Sequence, residues 1–215
     1  MSRRHVIISG TGRAGTTALV QLLTDLGLDT GFTDLSSGLF EFASAGMSLD
    51  IRRPDAPYII KSPWLCDYLD EVLQGGDVII DHAIVPVRDL YSAAESRRVV
   101  TEKADRSIYP DRVPGGLWHT EDPARQEAVL AGQLYKLVYA IAKHEIPLTL
   151  LHFPKFICDP EYLYKQILFV LKDVDYDSFL RAFRRVMRPG LVHNFEGCGL
   201  DLRTCSPPEA TGIAR

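Results

Sequence analysis

A glycine-rich turn between a strand and a helix constrains the fold of this chain more than any other feature. Residues 6–8 are a short β-branched run typical of a buried parallel strand. Gly10, Gly12 and Gly15 follow, and an apolar helix pattern covers residues 18–23. Glycines let the backbone wrap closely around a ligand, and the following helix points its free N–H groups and its positive dipole end into the turn. The stretch therefore predicts an anion-binding loop at the end of a strand.

The cation of this loop is displaced from the place it has in nucleoside-triphosphate enzymes. Those enzymes carry lysine directly after the last glycine, whereas this chain has Thr16 there and has Arg13 two residues before that glycine. A tight turn that binds nothing is the alternative for the loop taken alone. The run from Arg13 to Thr17 resembles the phosphosulfate-binding loop of the sulfotransferases, in particular their bacterial and tyrosylprotein-type branch. The resemblance implies that the 5′-phosphate of a nucleotide donor is held by Gly12, Arg13, Ala14, Gly15, Thr16 and Thr17.

Ala14 departs from that family's pattern, because serine is usual at this place. The substitution removes one hydroxyl from the loop, and we expect it to lower the affinity for the donor.

Two later strands each end next to a basic residue. The second strand, residues 57–61, ends in Lys61, and the third, residues 83–87, is followed by Arg88, with Ser96 eight positions further on. The carboxyl ends of parallel strands meet at one edge of a sheet, so both cations should face the ligand crevice. A surface lysine and an ion-paired arginine are the alternatives. The resemblance implies that Arg88 and Ser96 bind a 3′-phosphate, which a guanidinium fork and a hydroxyl suit.

The segment after the first helix contains the candidate general base. Residues 29–50 are rich in Gly, Ser, Asp and Phe. In P-loop folds the segment after the first helix lies over the strand ends, where a substrate binds. Glu41 lies between two phenylalanines, and burial between their rings would fit it for taking a proton. Asp34 and Asp50 are the competing carboxylates. A solvated residue in a short helix over residues 39–45 is the alternative for Glu41.

Length and composition favour one α/β domain. The chain has 215 residues, of which 46% are hydrophobic and 24% charged, enough for the core of a single domain. The order of strands and helices predicts a P-loop-type three-layer α/β/α fold with a central parallel sheet of about four to five strands. We expect this domain over residues 1–194 and a flexible tail over residues 195–215.

The second half of the chain supplies the remaining elements. The pattern predicts a helix over residues 123–145, a strand over 147–153, a helix over 159–171 and a last basic helix over 175–187. Residues 99–122 are expected to form a loop over the site. Within this loop, Trp118 is interpreted either as a wall of the ligand pocket or as a packing anchor.

Charge and cysteine content limit the kinds of partner and the kinds of metal or disulfide site that this chain is expected to have. The net charge of −4 suggests neither a nucleic-acid nor a membrane surface as partner, and no apolar stretch is long enough to span a bilayer. The four cysteines contain no CxxC pair, so neither a zinc site nor a disulfide scaffold is indicated. We expect a cytoplasmic protein, and the sequence makes no prediction of its oligomeric state.

The resemblance to the sulfotransferases covers three motifs in the expected order and implies a function. The donor would be 3′-phosphoadenosine 5′-phosphosulfate, the acceptor a small molecule or carbohydrate with a hydroxyl or amine, and the nucleotide product adenosine 3′,5′-bisphosphate. The family requires no metal. Arg13 and Lys61 would neutralise charge that develops during an in-line displacement, and Glu41 would take the acceptor's proton.

Two other functions stay open. A P-loop kinase acting on a small molecule with ATP-Mg would use Asp77 or Asp81 as its metal carboxylate. The missing loop lysine and the position of Asp81 ahead of its predicted strand both argue against that reading. A catalytically silent nucleotide-binding protein would keep the fold and the loop but no turnover.

Overall fold

The computed structural model describes residues 2–193 and residue 195, and one parallel sheet lies at its centre. The strands of the described residues are β1 (Arg3–Ile8), β2 (Leu39–Phe40), β3 (Ala45–Gly46), β4 (Ile59–Lys61), β5 (Val78–Val87) and β6 (Leu148–His152). Strands β4, β1, β5 and β6 pair in that order, all parallel, whereas β2 and β3 form a separate antiparallel hairpin.

The helices fall between and after these strands. They are α1 (Thr16–Asp25), α2 (Leu65–Gln74), α3 (Leu90–Lys103), α4 (Gln126–Lys143), α5 (Lys155–Cys158), α6 (Pro160–Gln166), α7 (Leu168–Leu171) and α8 (Tyr176–Val186). Short 3₁₀ turns cover Glu41–Ala43, Pro123–Arg125 and Pro189–Leu191. Helices α3, α6 and α8 are each capped by the aspartate that precedes them, namely Asp89, Asp159 and Asp175. Each of these carboxylates accepts a hydrogen bond from the backbone N–H three residues further on.

Alternation along β1 divides the core between the two faces of the sheet. Val6 belongs to a buried cluster built with α1, α5 and α8, whereas its neighbour Ile7 belongs to one built with α2 and α4. Helices therefore cover both faces, as they must for a parallel sheet. The predicted three-layer α/β/α fold is confirmed, with four strands in the described part of the sheet.

Strand β5 is longer than the sequence analysis predicted. It begins at Val78, so Asp81 and His82 lie inside the strand and not ahead of it. Polar residues interrupt the apolar pattern there, but tertiary partners satisfy them. Asp81 pairs with Arg4 of β1 and accepts from Tyr58 Oη at 3.1 Å. Because these partners come from elsewhere in the chain, the local pattern could not reveal the full strand.

Three other predicted boundaries are wrong. Helix α3 continues to Lys103, so the following loop begins later than residue 99. Residues 39–45 form the β2–β3 hairpin with a 3₁₀ turn, and the left-handed Ser44 ends any helical run there. The predicted helix over 159–171 is broken at Ile167, whose φ of −116° separates α6 from α7.

Cys158 takes part in a disulfide bond, although the cysteine pattern indicated no disulfide scaffold. Residues 194 and 196–215, with Cys198, Cys205 and nearly all of the predicted tail, lie outside the described residues. Within residues 2–193, no helix has the length and apolarity needed to cross a membrane.

Candidate functional site

The loop between β1 and α1 has the backbone geometry of an anion cradle. Gly12, Arg13 and Gly15 have φ angles of 67°, 55° and 77°, in the left-handed region that favours glycine. A Cβ on Gly12 would meet Arg97 Nη2 at 2.5 Å, and one on Gly15 would meet the Phe156 ring at 2.8 Å. Gly15 caps α1 without a side-chain hydrogen bond, so no side chain of the described residues caps the first N–H groups of the helix. Those groups can therefore bind an anion.

A cavity of about 850 Å³ opens over this loop. Its lining is strongly cationic, although the chain as a whole has a net charge of −4. Among the described residues, Glu41 is the one carboxylate in the lining. Seven basic side chains of the described residues line the cavity with it: Arg13, Lys61, Arg88, Arg97, Arg112, Arg185 and Arg188. A cleft with this charge attracts and concentrates a polyanionic ligand.

Arg13 extends from the loop toward α3 and the β2–β3 hairpin. Its Nε donates to Ser96 Oγ at 2.9 Å, and its Nη1 donates to the Ala43 carbonyl. Burial and, second, the charge of Arg88 lower the pKa of Arg13 to about 10, so the guanidinium stays charged at neutral pH. Arg13 thus joins the glycine loop to Ser96, two of the predicted site elements.

Lys61 lies beside the loop because of the parallel register. It pairs with Ile8, the last residue of β1, and its side chain is buried. Its Nζ donates to the Gly46 carbonyl and lies 3.4 Å from Thr17 Oγ1. Burial and, second, the neighbouring guanidiniums lower the pKa of Lys61 to about 7. An anion bound beside Lys61 would therefore restore its full positive charge.

Arg88 follows β5 and lies on the side of the loop away from β4, since β1 separates these two strands. Its Nη1 donates to the Arg13 carbonyl at 2.9 Å and its Nη2 donates to the His193 carbonyl at 2.7 Å. The guanidinium also lies 5.0 Å from the centre of the Phe153 ring. Ser96 is buried further along α3 and lines the same cavity. The structure thus brings Arg88 and Ser96 to one cavity, linked through Arg13.

The remaining loop residues divide between the cavity and the core. Gly12, Gly15, Thr16 and Thr17 line the cavity. Ala14 is fully buried in the core cluster below and is absent from the lining. A serine at this place would bury its hydroxyl among apolar side chains, which gives a physical reason for alanine. Ala14 is thus the one predicted loop residue whose side chain belongs to the core.

Glu41 lines the cavity from the tip of the β2–β3 hairpin. The burial expected from its two aromatic neighbours is wrong, because Glu41 is exposed. Phe40 and Phe42 pack instead against Tyr109, whose ring centroid lies 6.5 Å from that of Phe40 and 5.1 Å from that of Phe42. The carboxylate therefore faces the cavity without an aromatic cover.

The competing carboxylates are poorer candidates for a base. Hydrogen bonds from Ser37 and Ser36 hold the pKa of Asp34 well below its usual range, and Asp34 is exposed and absent from the lining. The hydrogen bond from Arg52 likewise lowers the pKa of Asp50, which is also absent from the lining. A carboxylate with a lowered pKa accepts a proton less readily.

The carboxylates that a kinase would need lie away from the cavity. Asp77 precedes β5 and Asp81 lies within it, whereas the cavity is at the opposite, carboxyl end of that strand. Asp81 is moreover engaged by Arg4 and Tyr58. Neither carboxylate lines the cavity.

Arg97 has a central, buried position, whereas the sequence left open whether Arg97 and Arg98 contact a phosphate or are solvated. It is 6% exposed, its Nη1 donates to the Gly116 carbonyl and its Nη2 donates to the Thr11 carbonyl, each at 2.6 Å. Burial and, second, the charge of Arg13 lower its pKa to about 9. Arg97 therefore ties the glycine loop to the loop after α3. Adjacent arginines at 97 and 98 offer no local signal of which one is buried.

Trp118 combines the two interpretations offered by the sequence. Its side chain is buried in a cluster with Ala93, Ala94 and Leu130, and it also lines the cavity. The Arg97 guanidinium lies 5.1 Å from the centre of the Trp118 ring. Trp118 is thus both a packing anchor and a wall of the site.

No protein-family model matches this chain, and no curated protein matches its sequence. The function is therefore inferred from the residues and geometry of the site.

The arrangement has three chemical capabilities. The loop amides and cations can hold an extended polyanion, with Arg88 on one side of the loop and Lys61 on the other. Arg13 and Lys61 can stabilise charge that develops on a leaving group. Glu41 can accept a proton from a second ligand. Within residues 2–193, no three His, Cys, Asp or Glu side chains are grouped so that they could hold a metal ion.

Proposed function

We propose that this protein transfers the sulfuryl group of 3′-phosphoadenosine 5′-phosphosulfate to a hydroxyl or amine of a small-molecule or carbohydrate acceptor. One observation carries the proposal. The three motif cations, Arg13, Lys61 and Arg88, lie at or after the carboxyl ends of three adjacent parallel strands and line one cavity over a glycine loop. This placement agrees with the sulfotransferase resemblance of the sequence and suits a donor with charge at both ends.

The proposed reaction is a single in-line displacement. The acceptor oxygen or nitrogen forms a bond to sulfur while the bond from sulfur to the 5′-phosphate oxygen breaks, and adenosine 3′,5′-bisphosphate leaves. Arg13 and Lys61 stabilise the charge that grows on the leaving phosphate and the sulfuryl oxygens. The acceptor's proton goes to the Glu41 carboxylate, which lines the same cavity. The loop amides with Thr16 and Thr17 hold the 5′-phosphate, and Arg88 with Ser96 holds the 3′-phosphate.

The protein's ligand preference tests this proposal. We expect adenosine 3′,5′-bisphosphate to raise the melting temperature in EDTA, because its two phosphates match the loop and Arg88, and a bound ligand stabilises by mass action. ATP-Mg should raise it much less, since Thr16 replaces the loop lysine and Asp81 is engaged elsewhere. Thermal shift over a ligand titration measures both. Stabilisation by ATP-Mg alone would instead support the kinase.

Transfer of label separates an enzyme from a silent binder. The protein is incubated with donor labelled in the sulfuryl group and with extracted cell metabolites, and products are separated and counted. Labelled product supports the proposal. Tight binding of adenosine 3′,5′-bisphosphate with no labelled product from any extract would favour a silent binding protein.

A cytoplasmic location stays part of this proposal. The disulfide bond of Cys158 bears on it, because reducing compartments normally keep cysteines as thiols. Thiol alkylation under non-reducing, denaturing conditions, on protein taken directly from its cell, measures the state of Cys158. A blocked Cys158 in freshly lysed cells would argue against the cytoplasm.

A further inference from the structure

We propose that the acceptor carries an anionic group, such as a carboxylate, sulfate or phosphate, which Arg112 binds over the ring of Trp64. This inference rests on the proposed function and names the class of acceptor for the same cavity.

The order of the strands separates the two ends of the cavity. Arg88 follows β5 on one side of the glycine loop, whereas Lys61 ends β4 on the other side. Trp64 follows Lys61 by three residues, and both line the cavity. The nucleotide end of the donor belongs on the Arg88 side, so the sulfuryl group and the acceptor belong on the β4 side. Trp64 therefore lies where the acceptor must approach.

Arg112 lies at this acceptor end. Its guanidinium is 5.4 Å from the centre of the Trp64 ring, and its side chain is exposed and lines the cavity. No carboxylate of the described residues forms an ion pair with Arg112. An indole face under a guanidinium holds it by cation–π attraction and leaves its N–H edge open to an anion.

The other basic side chains of the cavity already have a partner, either in the protein or in the donor. Arg97 donates to two backbone carbonyls, Arg188 donates to the Met187 carbonyl, and Arg185 pairs with Asp25. Arg13, Lys61 and Arg88 are assigned to the phosphates and the sulfuryl group of the donor. Arg112 therefore supplies a positive charge that binding of the donor does not require. A neutral acceptor that fills the cavity would strip water from this charge without replacing it, which is unfavourable.

A second indole–guanidinium pair extends the same wall. Arg97 lies over Trp118, as Arg112 lies over Trp64, and both tryptophans contribute to one apolar cluster. The charge of Arg112 also lies close enough to help lower the pKa of Arg97. The acceptor end is thus an aromatic wall with positive charge along it. A ring or sugar that bears an anionic group fits such a wall.

The test compares matched anionic and neutral hydroxyl compounds. Protein saturated with adenosine 3′,5′-bisphosphate is titrated by calorimetry with 4-hydroxyphenylacetate and its neutral amide, and with methyl glucuronide and methyl glucoside. We expect the anionic member of at least one pair to bind about 10-fold or more tightly than the neutral one, the usual worth of a charge-assisted hydrogen bond. Arg112→Gln should abolish the preference. Arg106→Gln is the matched control, because Arg106 is exposed in the same loop and is absent from the lining.

The outcomes separate this inference from the proposed function. No preference for the anion in the wild type, or a preference that survives Arg112→Gln, would overturn the inference. Weaker binding of adenosine 3′,5′-bisphosphate in Arg112→Gln would also overturn it, because Arg112 would then serve the donor. If the wild type does not bind that nucleotide, the proposed function fails. The same pairs are then titrated without it, and the comparison still decides whether Arg112 selects anions.

Discussion

Lys61 shows how burial sets the chemistry of a single residue in this site. Desolvation and two neighbouring guanidiniums lower its pKa from 10.5 to about 7. Between these values the unfolded chain binds a proton that the native protein does not. The ligand-free protein should therefore gain stability from this group as the pH rises from about 7, and lose it as the pH falls back. A bound anion offsets the desolvation and the neighbouring positive charges that lower this pKa, and it therefore favours the charged amine.

Binding of adenosine 3′,5′-bisphosphate at pH 8 is therefore expected to take up protons through Lys61. The uptake should approach one proton, because the free amine is mostly neutral at that pH and the bound one is charged. Calorimetry in buffers with different ionisation enthalpies measures it. Lys61→Arg is the matched control, since arginine keeps the charge but does not titrate. The assignment fails if the two proteins take up equal numbers of protons.

Glu41 is the residue on which turnover should depend. Glu41→Gln preserves size but cannot accept a proton, and the exposed side chain makes little packing contact to lose. We expect turnover to fall by about 100-fold or more, the usual contribution of a positioned base, while affinity for adenosine 3′,5′-bisphosphate is unchanged. Initial rates and calorimetry measure the two quantities.

Asp34→Asn is the control for Glu41→Gln, because Asp34 lies in the same segment but outside the lining. Normal turnover of Glu41→Gln would show that the base assignment is wrong, even if the protein is a sulfotransferase.

At the scale of elements, the site depends on segments that hold one another through backbone carbonyls. Arg13 and Lys61 each donate to a carbonyl of the segment that forms the β2–β3 hairpin. Arg97, on α3, donates to carbonyls of the glycine loop and of the loop after α3. A planar guanidinium can reach two carbonyls at once, which an ammonium group cannot do in the same geometry. These side chains therefore fix the relative positions of three segments.

Arg97→Lys should loosen this arrangement. We expect the free energy of unfolding to fall by about 2 kcal/mol, because hydrogen bonds from a charged donor are lost in a buried place. The affinity for adenosine 3′,5′-bisphosphate should fall as well, since the glycine loop loses a support. Urea denaturation and calorimetry measure the two effects.

Arg98→Lys is the matched control, as Arg98 is the next residue of α3 and bonds Glu95 and Glu127 nearer the surface. Its effect should stay below about 1 kcal/mol. Equal stability of the two variants would contradict the role assigned to Arg97.

At the scale of the whole molecule, charge is distributed very unevenly. The chain carries a net charge of −4, yet seven cations and one carboxylate of the described residues line the cavity. Partly enclosed walls strengthen the field of these cations at the ligand. The parallel sheet makes this concentration possible, because residues far apart in sequence meet at the carboxyl ends of its strands.

The sequence by itself determined the three-layer fold and the places of Arg13, Lys61 and Arg88. Each place follows from a local rule, because an apolar run ends and a cation stands at its end or in the loop that follows. Because all strands of a parallel sheet end at one edge, three local patterns were enough to predict one shared cavity.

Only the tertiary structure decided the exposure of Glu41, the burial of Arg97 and the contact of Arg112 with Trp64. The aromatic neighbours of Glu41 pack against Tyr109, which lies in a different segment of the chain. Arg97 and Arg112 likewise find their partners far away in sequence. Burial and ion pairing of a side chain depend on which distant segments reach it, and no local period or spacing encodes that.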